Sequence, residues 1–294
     1  MPMSELLQLT VNGLIAGSAY ALLALGFWVV YGTTRTFHFA HGGVYTLGGY
    51  VFYHTLAVLE APFVVAVAAT LLATALLGMG IERFLYRPLR AIGASDMEIL
   101  LSSLGLYVLI ENLVIIVWKS DPRLVPVAEA FQRGLALGPV WITGLQLVGL
   151  GASLALWGGL ALFLRRTRVG KAIRALAADP EMTEIVGINE DRIRLVVYAV
   201  GSVLAGCSVV LAAIDTGIAP SSGMSALLIA TISVIVGGTA AVSGGVAGGF
   251  LIGVVENVGI WKIASEWKQA IAFGVLAAFI LLRPTGILGP RNLK

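Results

Sequence analysis

Long apolar stretches separated by short polar loops fill most of the chain, and their lengths predict its architecture. A helix needs about 20 mostly apolar residues to cross a bilayer. Uninterrupted stretches of that length occur at 8–31, 61–81, 98–118, 141–164 and 193–214. The pattern therefore predicts an all-α, polytopic membrane protein.

Three further apolar stretches leave the number of spans open. Residues 37–58 are rich in Gly and His, so they either cross the membrane or re-enter it. Residues 226–257 are too long for one helix and short for two, and residues 269–282 reach a spanning length only with their flanks. We expect about eight transmembrane helices, with a glycine-rich broken or re-entrant region at 226–257.

Composition excludes a soluble protein. Hydrophobic residues make up 58% of the chain and charged residues 12%, and the mean hydropathy is +0.94. Soluble globular proteins are about 45–50% apolar and about 25% charged. Because little chain remains outside the spans, we expect a single transmembrane domain over residues 1–294. The N-terminal MPMSELLQLT lacks the basic start of a signal peptide, so the first stretch is expected to stay in the membrane.

The net charge of +3 is explained by membrane topology, which makes nucleic-acid binding unnecessary. The polar loop 165–194 carries seven of the 19 Lys and Arg residues. Because positively charged loops stay in the cytoplasm, we place this loop inside. If 226–257 crosses twice, turning near 243–245, most other cations also fall inside. The N-terminus is then outside and the C-terminus, Lys294, is cytoplasmic.

The cytoplasmic loop 165–194 carries a pattern too regular for a simple tether. Its residues 171–178 are predicted to be helical. Asp179 then acts as an N-cap, Pro180 takes the first helical position, and Glu181 lies in the first turn, where the helix dipole favours an anion. Gly187 stands where a left-handed cap ends a helix. The loop is therefore predicted to contain a two-turn helix over 180–186.

This short helix needs a partner surface, because two turns alone are marginally stable in water. Met182, Ile185 and Val186 are predicted to form its exposed docking face. An alternative is a membrane-surface loop whose basic residues face anionic headgroups. The acids of the second half of the loop, Glu184 among them, favour protein contact over lipid contact.

Several segments carry a family resemblance that spans the chain. In EMTEIVG, Glu181 and Gly187 have the spacing of the coupling motif of ABC-importer permeases, Glu-Ala-Ala followed three residues later by Gly, although Met182 and Thr183 replace the alanines. Further segments match in order: NGLIAGSAYALLALGFWVVYG, FAHGGVYTLGGY, YRPLR, RTRVGKAIRALAADPE, VGIN and RPTGILG. The chain resembles the LivH-type permeases of branched-chain amino-acid ABC importers.

The resemblance implies a permease subunit in a bacterial inner membrane. In that family two related permeases form the pore, two cytoplasmic ATPases dock on the coupling loops, and a periplasmic binding protein delivers the solute. A LivM-like permease is thus the expected second pore subunit.

The chain itself is not expected to be an enzyme or to bind a cofactor. It lacks a GxxxxGK[ST] phosphate loop, so ATP and Mg²⁺ are expected in the partner ATPases. The residues expected to couple ATPase closure to the spans are Asp179, Pro180, Glu181, Met182, Glu184, Ile185 and Gly187.

Two acidic residues within apolar stretches are candidates for the translocation pathway, because charges at bilayer depth are costly. They are Glu111, beside Asn112, and Glu256, beside Asn257. Each carboxylate either holds the ammonium of an amino acid or locks two helices together, and for Glu256 we favour the packing role. The resembled family usually carries Gln at the position of Glu111.

His38 and His41 are three residues apart and are predicted to share a helix face in the pathway. No carboxylate or third ligand lies close in sequence, so no metal site is predicted. The family pattern Asn-Phe-Ala-His-Gly-Glu becomes HFAHGG here, with His38 and Gly43 at the changed positions. The solute is therefore expected to be an amino acid or a similar small polar molecule, and its identity stays open. Because no histidine follows His54, no catalytic site is predicted.

Small residues recur at every fourth position from Gly237 to Gly253, a spacing that lets helix backbones touch. Glycine doublets in the same stretch favour a helix break near 243–245, and broken helices expose backbone groups to solute in transporters. The residues expected at the break or in packing are Gly237, Ser243, Gly244, Gly245 and Gly249.

Three functions are thus open to test. The first is an ABC-importer permease coupled through residues 179–188. The second is a self-sufficient ion-coupled transporter or channel that uses Glu111 or Glu256, and the third is a structural scaffold.

Overall fold

A computed structural model of the chain describes residues 3–126 and 134–289. Each of the five uninterrupted apolar stretches is helical over nearly all of its length. The predicted cytoplasmic C-terminus, Lys294, and the cations Arg133 and Arg291 lie outside the described residues. The α-helices are α1 (Met3–Thr34), α2 (Ala40–Tyr53), α3 (Phe63–Ile81), α4 (Arg87–Ala91), α5 (Asp96–Trp118), α6 (Gly144–Arg166), α7 (Arg168–Ala178), α8 (Pro180–Ile185), α9 (Glu190–Thr216), α10 (Ser222–Gly237), α11 (Val242–Gly259) and α12 (Lys268–Leu282).

Short elements of other kinds extend or join these helices. Single π-helical turns, His54–Val58 and Glu82–Tyr86, continue α2 and α3, and a 3₁₀ turn, Ser265–Trp267, precedes α12. An antiparallel hairpin, which the apolar pattern did not predict, pairs β1 (Gly134–Leu137) with β2 (Val140–Thr143).

Seven helical segments in the described part of the chain are long and apolar enough to cross a membrane. They include all five of the uninterrupted apolar stretches, so the prediction of an all-α polytopic membrane protein is confirmed. α10, with 16 residues, is shorter than a full span. The count of about eight spans, and whether α2 crosses or re-enters, stay predictions.

The chain divides into two compact units. The first holds residues up to Leu25, Pro126–Trp157 and residues from Leu228 onward, and the second holds Gly26–Val125 and Gly158–Leu227. A single transmembrane domain over the whole chain was expected from the sequence, and it stays an expectation.

In the second unit α9 packs against α2 and α3, and α2 also packs against α3 and α5. Glycine residues let α9 approach α1 closely in the same unit. A Cβ on Gly201 of α9 would lie 2.7 Å from Val30 Cγ2 and 2.9 Å from the carbonyl oxygen of Gly26 in α1. Side chains at such positions would push the helices apart, so these glycines set the spacing of the bundle.

In the first unit an apolar core joins α10, α11 and α12. Its buried members are Ile229, Ile232, Val236, Ile252 and Ala272. α11 also lies against α1 through glycine, because a Cβ on Gly249 would come within 2.6 Å of the Ala21 backbone.

The helix break lies earlier than predicted. α10 ends at Gly237 and α11 begins at Val242, so the interruption occupies 238–241. Ser243, Gly244 and Gly245 instead lie in the first turn of α11. Gly238 adopts φ +99°, a conformation that glycine reaches without strain.

The C-terminal segment explains why the break falls at this point. Ile287 and Leu288 donate backbone hydrogen bonds to the carbonyls of Val236 and Gly237, at 2.8 and 3.1 Å. Those carbonyls belong to the last turn of α10 and have no partner within the helix. The segment after α12 therefore supplies hydrogen-bond donors to the free carbonyls at the end of α10.

Candidate functional site

The polar loop 165–194 folds into two capped helices. Thr167 caps α7 by accepting a hydrogen bond from the Gly170 amide at 2.9 Å. Asp179 both ends α7 and caps α8, because its carboxylate accepts a hydrogen bond from the Met182 amide at 3.0 Å. The N-cap predicted for Asp179 is thus present, and α8 covers the two-turn helix expected from the sequence, ending one residue sooner.

Gly187 closes α8 in the predicted left-handed conformation, with φ +79°. Its amide donates to the Glu184 carbonyl at 2.9 Å, and the Ile188 amide donates to the Thr183 carbonyl at 3.2 Å. Asn189 then caps α9 through the Arg192 amide at 3.0 Å. Four residues joined by hydrogen bonds therefore connect α8 to the long helix α9.

One side of α8 is buried and the other is exposed. Thr183, which replaces an alanine of the family motif, is 2% exposed, and its hydroxyl donates to the Asp179 carbonyl at 2.7 Å. Met182, Ile185 and Val186 are 56%, 76% and 66% exposed. Pro180, Glu181 and Glu184 are exposed as well. α8 therefore presents an exposed apolar patch with an acidic border.

The two histidines lie in a buried polar cluster of the second unit. His38 precedes α2, so the prediction that it shares a helix face with His41 is wrong, although their ring centroids are 5.6 Å apart. Both are fully buried. His38 Nδ1 lies 2.7 Å from the Tyr86 hydroxyl, and its ring contacts the Tyr198 ring at 5.1 Å. Tyr86 and Tyr198 were not predicted as site residues.

Glu111 and Asn112 lie on α5. Glu111 is half-buried and interacts electrostatically with Tyr107. Asn112 is exposed and donates to the Val108 carbonyl of its own helix at 2.8 Å. The two pathway candidates are thus on a side of α5 that the second unit only partly covers.

Glu256 and Asn257 lie in the first unit and are buried. Tyr20 forms a hydrogen bond with Glu256. Asn257 donates to the Gly253 carbonyl at 2.9 Å and accepts from Lys268 Nζ at 3.2 Å. These bonds join α1, α11 and α12, which is what a helix-locking role requires.

Comparison with known proteins places this geometry in a family. A family model described as "Branched-chain amino acid transport system / permease component" matches residues 9–280. The chain belongs to this family. It is accordingly a multi-pass membrane permease subunit, and it forms part of the translocation pathway of an ABC importer.

Three curated relatives match nearly the whole permease. It is 36% identical to the high-affinity branched-chain amino acid transport system permease protein BraD of Pseudomonas aeruginosa, covering 96% of this chain and 95% of BraD. It is 32% identical to LivH of Escherichia coli K12, with coverage of 96% and 95%. It is 25% identical to a probable LivH of Methanocaldococcus jannaschii, with coverage of 95% and 91%. No solved structure matches the permease.

The sequence pattern did not reveal a buried ion pair at the C-terminal end of α3. Glu82 is 1% exposed, and both terminal nitrogens of Arg90 bind its carboxylate, one of them at 3.3 Å. The sequence does hold one sign of the ion pair, because a single acidic residue ends an apolar span and arginines follow it in the next turns. Positions 82 and 90 are two helical turns apart, and only the intervening π turn and the fold show that they meet.

Proposed function

We propose that the permease forms half of a pore for a branched-chain or similar amino acid, driven by ATPases that dock on α8. The observation that carries this proposal is the exposed patch of Met182, Ile185 and Val186 on a helix capped at both ends. Exposed apolar side chains on a fixed cytoplasmic element favour a protein partner. The coupling residues named from the sequence all lie on α8 or in its caps.

The same proposal includes the other subunits of the importer. A LivM-like permease supplies the other half of the pore, two cytoplasmic ATPases bind ATP and Mg²⁺, and a periplasmic protein delivers the solute. The permease itself has no catalytic role. The curated relatives carry the words branched-chain amino acid in their names, which supports leucine as the first solute to test.

Contacts between loops support the proposed orientation in an inner membrane. Arg123 and Ile218, in two loops placed outside, exchange backbone hydrogen bonds of 2.8 Å. Arg87 and Asp191, in two segments placed inside, form an ion pair of 2.8 Å. Each contact joins loops that the positive-inside rule assigns to the same side. With this orientation the C-terminus lies in the cytoplasm.

The test is a double substitution, Met182→Asp with Ile185→Asp, in the complex of both permeases, the ATPases and the binding protein. Two charges on the docking patch should release the ATPases without unfolding α8, because both side chains point away from the protein. We expect the ATPases to be lost on affinity purification, and leucine-stimulated ATP hydrolysis and leucine uptake to be abolished in proteoliposomes.

Ile263→Asp is the matched control, since Ile263 is 51% exposed in a loop placed outside. It should leave ATPase binding and hydrolysis unchanged. Retention of the ATPases by the double variant would contradict the docking role of α8. Leucine transport by the permease alone, driven by an ion gradient, would support the ion-coupled alternative.

A further inference from the structure

We propose that Glu82 is a positioning residue that links α8 to the buried histidine cluster. The proposal rests on the proposed function, because it takes α8 as the element that the ATPases move. It assigns a role in energy transmission to a buried carboxylate outside α8. All of the contacts involved lie within the second unit.

The first observation is the environment of Glu82. Its side chain is 1% exposed at the end of the apolar helix α3, where an unpaired carboxylate would be strongly destabilising. Arg90, on α4, binds both carboxylate oxygens. Such a two-point contact fixes direction as well as distance. The segment from Glu82 to Arg90 is thereby held in one conformation.

The second observation is that the base of α9 is joined to this segment. Arg194 interacts electrostatically with Glu82 and bonds to Glu190 one turn earlier at 3.0 Å. Arg87 bonds to Asp191 at 2.8 Å. The first two turns of α9 therefore interact with the 82–90 segment through the Arg87–Asp191 ion pair and through the electrostatic attraction between Arg194 and Glu82.

The third observation is the short connection between α9 and α8. Only residues 186–189 separate the two helices, and the Gly187 and Ile188 amides are both bonded back to α8. Asn189 caps the first turn of α9. Hydrogen bonds hold this connection to both helices. A displacement of α8 is therefore passed to the turn that carries Asp191 and Arg194.

The fourth observation is the inward path from Glu82. Tyr86 lies in the same π turn, one turn after Glu82, and its hydroxyl is 2.7 Å from His38 Nδ1. Tyr198 lies one turn after Arg194, with its ring centroid 5.3 Å from that of Tyr86 and 5.1 Å from that of His38. Both tyrosines are fully buried. Glu82 thus stands where the charged contacts end and the buried ring cluster begins.

Burial decides which ion pair carries the coupling. The side chains of Arg87 and Asp191 are 49% and 42% exposed, and exposed pairs contribute little because water screens them. The Glu82 pair is screened far less, so its loss changes the position of the segment. Glu82 and Asp191 therefore make a matched comparison within one network.

The experiment measures leucine uptake and leucine-stimulated ATP hydrolysis by the whole complex in proteoliposomes. Glu82→Gln keeps the shape of the side chain and removes the charge. We expect it to lower the number of leucine molecules transported per ATP by about tenfold, since coupling between sites typically amounts to 5–150-fold. Arg194→Gln, which acts on Glu82 from α9, should change the same ratio in the same direction. Glu82→Asp should restore part of it.

Asp191→Asn should leave the ratio within about twofold of wild type, as expected for an exposed pair. A wild-type ratio in Glu82→Gln would overturn the proposal, and so would equal losses of uptake and hydrolysis, which indicate a structural role only. If Glu82→Gln fails to assemble, the Arg194→Gln variant becomes the test. An assembled Arg194→Gln complex with a wild-type ratio of leucine to ATP would also overturn the proposal. Wild-type complex without leucine-stimulated hydrolysis would instead overturn the proposed function itself.

Discussion

At the scale of single residues, glycine determines how closely the helices approach. Gly26 and Gly201 face each other across α1 and α9, and a Cβ on Gly78 of α3 would meet the Ser202 side chain and the Tyr198 carbonyl. Overpacking at such contacts is destabilising, because the surrounding backbone cannot move away freely. The remaining glycines are not equivalent, since a Cβ on Gly105 of α5 would have no neighbouring atom within 4 Å.

Gly201→Ala is therefore expected to destabilise the permease by about 1–3 kcal/mol, the usual range for overpacking. Gly105→Ala, in a helix of the same unit, should be neutral or stabilising by up to about 1 kcal/mol, because alanine is the better helix former. The midpoint of unfolding in SDS, followed by circular dichroism, measures both. Equal midpoints for the two variants would disprove the close contact of α1 and α9.

The histidine cluster gives a second test at this scale. Tyr86→Phe removes the hydroxyl that lies 2.7 Å from His38, and it should destabilise the permease by about 1–3 kcal/mol, the range for a buried polar group left unpaired. In the double variant with His38→Phe the two effects should not add, since the groups contact each other. Strictly additive losses in SDS unfolding would argue against the hydrogen bond.

At the scale of helices, the residues at the ends decide where α8 and the glycine-rich helices α10 and α11 begin and end. α8 has only six residues, so its own hydrogen bonds cannot hold it together in water. The Asp179 carboxylate and the left-handed Gly187 supply the ends. The interruption between α10 and α11 begins at Gly238, whose φ of +99° is strained for any other residue.

Removal of the α8 cap should weaken coupling. Asp179→Ala loses a cap that contributes about 1 kcal/mol, so the equilibrium constant for folding of α8 should fall by about fivefold. Asp179→Asn keeps a capping oxygen and is the matched control. Leucine-stimulated ATPase activity should decrease in the first variant and stay near wild type in the second.

The position of the helix break is tested by two alanine substitutions. Gly238→Ala forces a left-handed conformation on alanine and should destabilise the permease by about 1–2 kcal/mol. Gly245→Ala should be tolerated, because the nearest atom to its Cβ, the Ala24 carbonyl oxygen, is 3.5 Å away. If Gly245→Ala were the more harmful change in SDS unfolding, the break would lie at 243–245 after all.

At the scale of the whole molecule, the arrangement of the loops on two sides of the membrane is the property on which function depends. The single cysteine, Cys207, is partly buried, and Cys207→Ser provides a background for labelling new cysteines. In that background we expect Leu124→Cys and Ile263→Cys to react with an impermeant maleimide from outside. Val186→Cys and Leu288→Cys should react only in inverted vesicles.

All four test positions are exposed, between 45% and 78%, so accessibility does not favour either side. Labelling of Ile263→Cys and Leu288→Cys from one side would mean that α12 does not cross the membrane. Labelling of Val186→Cys from outside would remove α8 from the cytoplasm and with it the docking role.

The sequence alone determined the apolar helices, the ends of α8 and the family of the permease. These features depend on residues close together in the chain. Span length is a count of consecutive apolar residues, and the Asp179 cap acts on an amide three residues away. For that reason the five uninterrupted apolar stretches and the two-turn helix predicted over 180–186 agree with the structure to within a few residues.

Only the tertiary structure decided which polar groups meet. His38 and Tyr86 are 48 positions apart, and no local pattern links them. The glycine doublets at 237–238 and 244–245 are alike in sequence, so the pattern favoured the wrong one. The C-terminal segment selects between them, because Ile287 and Leu288 bind the carbonyls that end α10. Contacts between distant segments, which satisfy buried polar groups, settle what local chemistry leaves open.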